Sequence, residues 1–274
     1  MILSTIERQI KDKIEKVGKP LKDWDISINY GIKTGFNDAF IITGEKRKEL
    51  IKQDPKSEEI IRPILRGRDI KRYGYDFADL WLINTHNGIK EKGIKPINID
   101  DFPAVKKHLD FYFPQLEKRF DKGDTPYNLR NCAYMDDFSR PKIIYPNMTK
   151  FLPFVFDIGG YLTNQKCFII TGENVEYLTA FLNSSLFKYC FRDDFPELQG
   201  GTRELSKIYL EKIPVLKVNS EQNLMFKNLL NKIHRFSSTD YEFLKIIKEI
   251  DEMIFDLYNL TNEEKDIIGF IEIQ

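Results

Sequence analysis

Ile6, Ile10, Ile14 and Val17 recur at the spacing of one helical face, behind a Ser4-Thr5-Ile6-Glu7 segment with capping-box spacing. This predicts a helix over residues 4–17, ending near Gly18-Lys19-Pro20. From Trp24 the pattern changes to short β-rich runs separated by turn residues, at 26–30, 39–43, 80–84, 142–148, 154–157 and 167–171. These runs predict the strands of one curved sheet. Two helical patterns interrupt them. One covers 102–120, with Val105, Leu109, Tyr112 and Leu116 on a face, and the other covers 175–191. Beyond Lys212-Ile213-Pro214-Val215 the pattern is wholly helical. Leu224, Phe226, Leu229, Leu230 and Ile233 mark one segment. Phe243, Leu244, Ile247, Ile250, Ile254 and Leu257 stripe the next, opened by a capping-box spacing from Thr239 to Glu242. A third box, Thr261 to Glu264, starts a short last helix.

Strands and helices mix without a βαβ rhythm, so the fold class is α+β. The expected architecture is a mixed, curved β-sheet lobe with inserted helices over residues 1–216, followed by a small helical lobe over 217–274. A chain of 274 residues with 42% hydrophobic and 31% charged residues can bury a substantial core and carries no disordered or fibrous bias. The N-terminus is too densely charged for a signal peptide, and no apolar run is long enough to span a bilayer, so a cytoplasmic protein without a membrane partner is expected. Cys132, Cys167 and Cys190 are odd in number and far apart, which points to buried reduced thiols rather than disulfides or zinc.

The chemistry search is largely negative. The chain has no Walker loop, no Gly-x-Gly-x-x-Gly, no Gly-x-Ser-x-Gly and no His-Glu-x-x-His. The Asn-Pro-Pro-aromatic loop and S-adenosylmethionine loop of amino-methyltransferases are also missing. His86, His108 and His234 stand isolated, and no metal site or catalytic residue is assigned. The 42 basic residues balance the 42 acidic ones, so only local clusters can argue for a polyanion.

Such a cluster is Ile61-Arg62-Pro63-Ile64-Leu65-Arg66-Gly67-Arg68-Asp69-Ile70-Lys71-Arg72-Tyr73, offset in the total by the acidic stretch after Thr239. It fits either phosphate binding by bidentate Arg or a solvated surface paired with nearby acids. In Gly31-Ile32-Lys33-Thr34-Gly35-Phe36-Asn37, the two glycines permit close approach of a partner, with Lys33, Thr34 and Asn37 projecting; an ordinary hairpin turn explains the run as well. Asn128-Leu129-Arg130-Asn131, Ser139-Arg140-Pro141-Lys142 and Thr163-Asn164-Gln165-Lys166 supply side chains able to pair with base edges, and Gln199-Gly200-Gly201-Thr202-Arg203-Glu204-Leu205 can set an Arg into a groove, or all are plain loops.

In this order the segments resemble the TaqI-like C-terminal specificity domain of restriction-modification enzymes. The matching stretches are residues 31–40, 63–73, Leu116-Glu117-Lys118-Arg119, Arg140-Pro141-Lys142-Ile143-Ile144, Leu182-Asn183-Ser184, Ile213-Pro214-Val215 and 250–264. The resemblance implies a DNA target recognition domain for an adenine methyltransferase, sometimes fused to a nuclease as in type IIG enzymes, and related to type I specificity modules. The chain then has no activity of its own and is either part of a longer enzyme or a separately encoded specificity protein. Its partners are double-stranded DNA and a methyltransferase, with or without a nuclease. S-adenosylmethionine and Mg2+ belong to that parent or partner, not to this chain. Arg66, Arg68, Lys71 and Arg72 become the phosphate-binding set, and Lys33, Thr34, Asn37, Arg130, Asn164 and Arg203 the base readers. The C-terminal helices dock the catalytic partner or brace the recognition lobe. Two alternatives remain: a metal-dependent nuclease using Asp193 and Asp194, and a protein-interaction module of a phage-defence complex.

Overall fold

A computed structural model describes residues 5–271, so Ser4 of the first capping box lies outside the described residues. The N-terminal half contains α1 (Thr5–Val17), β1 (Ile26–Tyr30), β2 (Ile41–Thr43), α2 (Gly44–Gln53), β3 (Ile61–Leu65), β4 (Leu80–Ile83), α3 (Pro103–Asp110) and α4 (Phe113–Lys118). There follow β5 (Lys142–Pro146), β6 (Met148–Thr149), β7 (Val155–Asp157), β8 (Leu162–Thr163), β9 (Cys167–Gly172), α5 (Val175–Asn183), α6 (Ser185–Phe191) and β10 (Arg203–Glu204). The chain then forms α7 (Ser220–Ile233), α8 (Tyr241–Leu257) and α9 (Asn262–Ile268). The α+β class is as expected. Among the described residues no helix is long and apolar enough to cross a membrane.

The strands form two principal sheets rather than one curved sheet. One, antiparallel, has the order β7-β5-β9-β1; the other has the order β8-β3-β4-β2, with β8 parallel to β3. The alternation of side chains along a strand explains how they fit together. In β5, Ile143 and Tyr145 enter one core cluster and Ile144 the other; in β9, Phe168 and Ile170 enter the first and Cys167 and Ile169 the second. The first sheet is therefore a middle layer buried on both faces, which is why β5 reads as an unbroken buried run. Its first face packs against α1 and α5–α8, and its second against the other sheet and α2–α4. The first cluster includes residues on both sides of position 216, from Ile10 to Ile268.

Several local expectations change. The run at 39–43 is a strand only from Ile41, because Asn37–Phe40 makes a helical turn. The helix predicted over 102–120 divides between α3 and α4, where Pro114 opens a new first turn. The one over 175–191 breaks at extended Ser184, whose hydroxyl accepts the Phe187 N–H and so caps α6. Strand β3 is concealed in the sequence by Pro63, which is tolerated because pairing with β8 begins only at Ile64. Of the C-terminal caps, Thr261 and Glu264 form the predicted box (2.7 and 3.3 Å), whereas α8 begins after Asp240 without a side-chain cap.

Candidate nucleic-acid interface

The turn after β3 is built by one acid. Asp69, buried, accepts the Arg66 backbone N–H (2.8 Å) and two N–H groups of its guanidinium (3.0 and 2.8 Å). This fork raises the Arg66 pKa and holds residues 67–69 in a tight helical turn. Gly67 keeps this contact close: an added Cβ would stand 3.2 Å from Pro146 and 3.4 Å from the Lys166 carbonyl, a tight fit. The turn thus abuts the first sheet and forms one wall of a cleft of about 1240 Å3.

Arg66, Arg68, Lys71 and Arg72 all line this cleft, and the structure adds Lys150, Lys166, Lys188 and Arg192; among the described residues, Asp193 is the one acid in the lining. None of these four added cations stands out in the sequence as part of a basic run. Lys188 and Arg192 stand one turn apart at the end of α6, a spacing that could have flagged them. Arg68 is exposed, and Lys71 is loosely paired with Asp76 (3.4 Å).

Arg72 is a correction to the expected phosphate set. Its side chain is 2% exposed, donating to the carbonyls of Asn183 (2.9 Å) and Ile271 (2.6 Å), with Asp251 3.9 Å away. A guanidinium committed to backbone acceptors and a buried acid ties the turn to the end of α5 and to α8. Lys188 sits beside it, and burial, with a further push from Arg72, pulls its ammonium down to about 7 against the pull of Asp251.

The base-reading candidates divide. Lys33 and Arg130 converge on the two oxygens of Asp121 (2.9 and 3.2 Å), and Asn37 is exposed nearby in chain order. Behind them the buried Arg119 donates to the carbonyls of Thr34, Asp121, Pro126 and Asn128, so one side chain ties the Gly35 loop to the 121–128 loop. Burial lowers its pKa to about 10, which leaves it charged at neutral pH. Thr34 does not project: it is buried, its hydroxyl donating to Asn37 (2.6 Å). Nor is Arg203 free, because it contacts Asp193 (2.9 Å), Glu197 (3.0 Å) and the Phe195 carbonyl (3.0 Å). Asn164 lines the cleft edge, with Oδ1 accepting the Lys166 N–H (3.1 Å).

Gly31 permits a close approach, but the partner is this chain. A Cβ there would lie 2.0 Å from the Asn164 carbonyl, where Ile32 bridges across to Asn164 and the chain passes from one sheet to the other. The pair proposed for metal chemistry is also engaged: Asp193 by Arg203, and Asp194 by Lys11 (3.3 Å).

The model of the TaqI-like C-terminal specificity domain matches residues 62–215, which include all of β3 but Ile61, the cleft turn and both interrupted helices. The type II methyltransferase M.BstVI of Geobacillus stearothermophilus is 23% identical over 257 residues, 91% of this chain and 42% of that protein. Two solved structures share the fold. The type IIL restriction-modification enzyme MmeI, solved in complex with DNA, superposes with a TM-score of 0.64 at 15% identity, covering 91% of this chain and 35% of that one. The type IIG restriction endonuclease BpuSI gives 0.53 at 14% identity, covering 93% and 33%. The chain therefore spans less than half the length of each of these relatives. With the match running through the cleft turn and across more than half its length, the chain belongs to the TaqI-like C-terminal specificity domain family of restriction-modification systems.

Proposed function

We propose that this chain recognises duplex DNA and positions it for adenine methylation, and for cleavage where a nuclease is joined, by catalytic parts outside the 274 residues. One observation carries the reading: a cleft lined by Arg66, Arg68, Lys71, Lys150, Lys166, Lys188 and Arg192, with Asp193 as the one acid among its described lining residues, in a chain of zero net charge. Such segregation suits a phosphate backbone. Arg68, Lys71, Lys150 and Lys166 set register on phosphates, while Lys33, Asn37, Arg130 and Asn164 are the side chains offered to base edges. S-adenosylmethionine and Mg2+ act in the catalytic parts.

The test is fluorescence anisotropy with mixed-sequence duplex DNA across a salt series. Binding is expected to weaken linearly in log-log form, and Arg68→Ala with Lys150→Ala is expected to reduce the slope by about 2, near one for each phosphate no longer neutralised. An unchanged slope in the double variant refutes the phosphate assignment.

A further inference from the structure

Resting on the proposed reading of the cleft as a DNA site, we infer that Met148 and Phe151 form an apolar wedge that enters the base stack of the bound duplex. Both side chains are 49% exposed, and both line the cationic cleft, with Lys150 between them in sequence. Isolated surface apolar residues are ordinary. This pair differs in being held on a stiff loop among cations.

The loop is fixed along its length. The Asn147 N–H donates to the Lys166 carbonyl (2.8 Å), and the Asn147 carbonyl accepts the Leu205 N–H (2.7 Å). Strand β6 pairs with β10, Met148 opposite Glu204 and Thr149 opposite Arg203. The Phe151 N–H is held by the Thr149 hydroxyl (3.1 Å). Leu152 then takes a left-handed conformation (φ 49°), rare for a residue with a side chain, and is buried. That turn drives Leu152 into the core and leaves Phe151 pointing outward beside it. Phe154 beyond is clamped by Asn183.

An apolar protein surface seated on Phe151 would strip water from Lys150, Lys166 and Arg192 without offering them counter-charge. A nucleic-acid duplex meets both demands: phosphates face the cations, and a base step opened by the wedge supplies apolar faces for Met148 and Phe151. The wedge then favours DNA that is already weakly stacked, whatever the target sequence.

The experiment compares the full chain's affinity for a fully paired duplex with that for the same duplex carrying a central abasic site, at several salt concentrations. Wild type is expected to prefer the abasic duplex by about tenfold, the scale of one base–aromatic stacking interaction. Phe151→Ala should lose the preference while keeping the salt slope and its unfolding midpoint, and Phe151→Trp should retain it. Equal affinity of wild type for the two duplexes, or a full preference in Phe151→Ala, overturns the wedge and leaves the cationic cleft standing. Failure of wild type to bind either duplex at low salt overturns the cleft reading and the wedge with it.

Discussion

Asn183 offers the sharpest test of how the cleft is held in shape. It is fully buried at the end of α5, and its amide acts as a substitute strand for Phe154: Oδ1 accepts the Phe154 N–H (3.1 Å), and Nδ2 donates to the Phe154 carbonyl (2.7 Å) and to that of Thr179 (3.0 Å). Asn183→Leu keeps the shape and removes all three bonds. The Phe154 carbonyl retains the Tyr73 N–H (3.1 Å), but the Phe154 N–H is left without an acceptor in a buried site. Stranding that donor costs about 1–3 kcal/mol, and removing the two other bonds about 0.5–1.5 kcal/mol each, giving roughly 2–6 kcal/mol. For a chain of this size that corresponds to a fall in Tm of about 5–15 °C, read by circular dichroism in parallel with urea titration. Hydrogen exchange adds a local readout, since the Phe154 amide should lose protection first. A destabilisation below about 1 kcal/mol would refute the view that this side chain anchors the loop carrying Lys150 and Phe151.

Three further outcomes follow from buried charges and from the core. Lys142 and Asp157 form a buried pair, but Asp157 also accepts the N–H groups of Gly159, Gly160 and Tyr161 (3.2 Å each). Asp157→Ala strands the lysine and should cost about 3–5 kcal/mol in chemical denaturation, with Lys142→Met costing less because its partner keeps those donors. Lys188 has a folded pKa of about 7, below its ordinary 10.5, so the unfolded chain binds the extra proton between those values. Its contribution to stability is present above about 10.5 and lost as pH falls towards 7; relative to Lys188→Met, wild type should weaken across that window and run parallel below it. Removal of residues 240–274 takes Phe243, Ile247, Ile250 and Ile254 out of the larger core, so the remainder should show no cooperative thermal transition.

Legibility followed the range of the interaction. The six β runs appear as strand at least in part, and the C-terminal apolar stripes face the core through Phe226, Leu229, Leu230, Ile247 and Ile250, since both signals are periodic and local. Leu224 and Leu244 belong to the same stripes by spacing but are exposed, each lying off the buried arc. Strand β3 is hidden because a proline and the neighbouring cations make it look like a loop. At the site, the basic turn does gather cations, yet which of them are free depends on distant partners. Nothing near Arg72 in sequence announces Asn183, Ile271 or Asp251, and nothing near Arg203 distinguishes Asp193 as its acceptor. Lys150, Lys166, Lys188 and Arg192 join the cleft only when β6, β9 and α6 are brought side by side.

The larger core has a consequence for recombination between relatives. The family match begins at residue 62 and stops at 215, yet the apolar faces within it are completed by Ile10 and Ile14 on α1 and by α7–α9, with Lys13 bonded to Glu264 (2.6 Å) and to the Asn259 carbonyl (3.0 Å). A chimera cut at the edges of the matched span would join half-cores drawn from different parents, with mismatched shapes along the seam. Under the proposed function, the unit to transfer is accordingly the whole run from α1 to α9, and the surface loops around the cleft and the Gly35 turn are the smaller pieces to exchange within it.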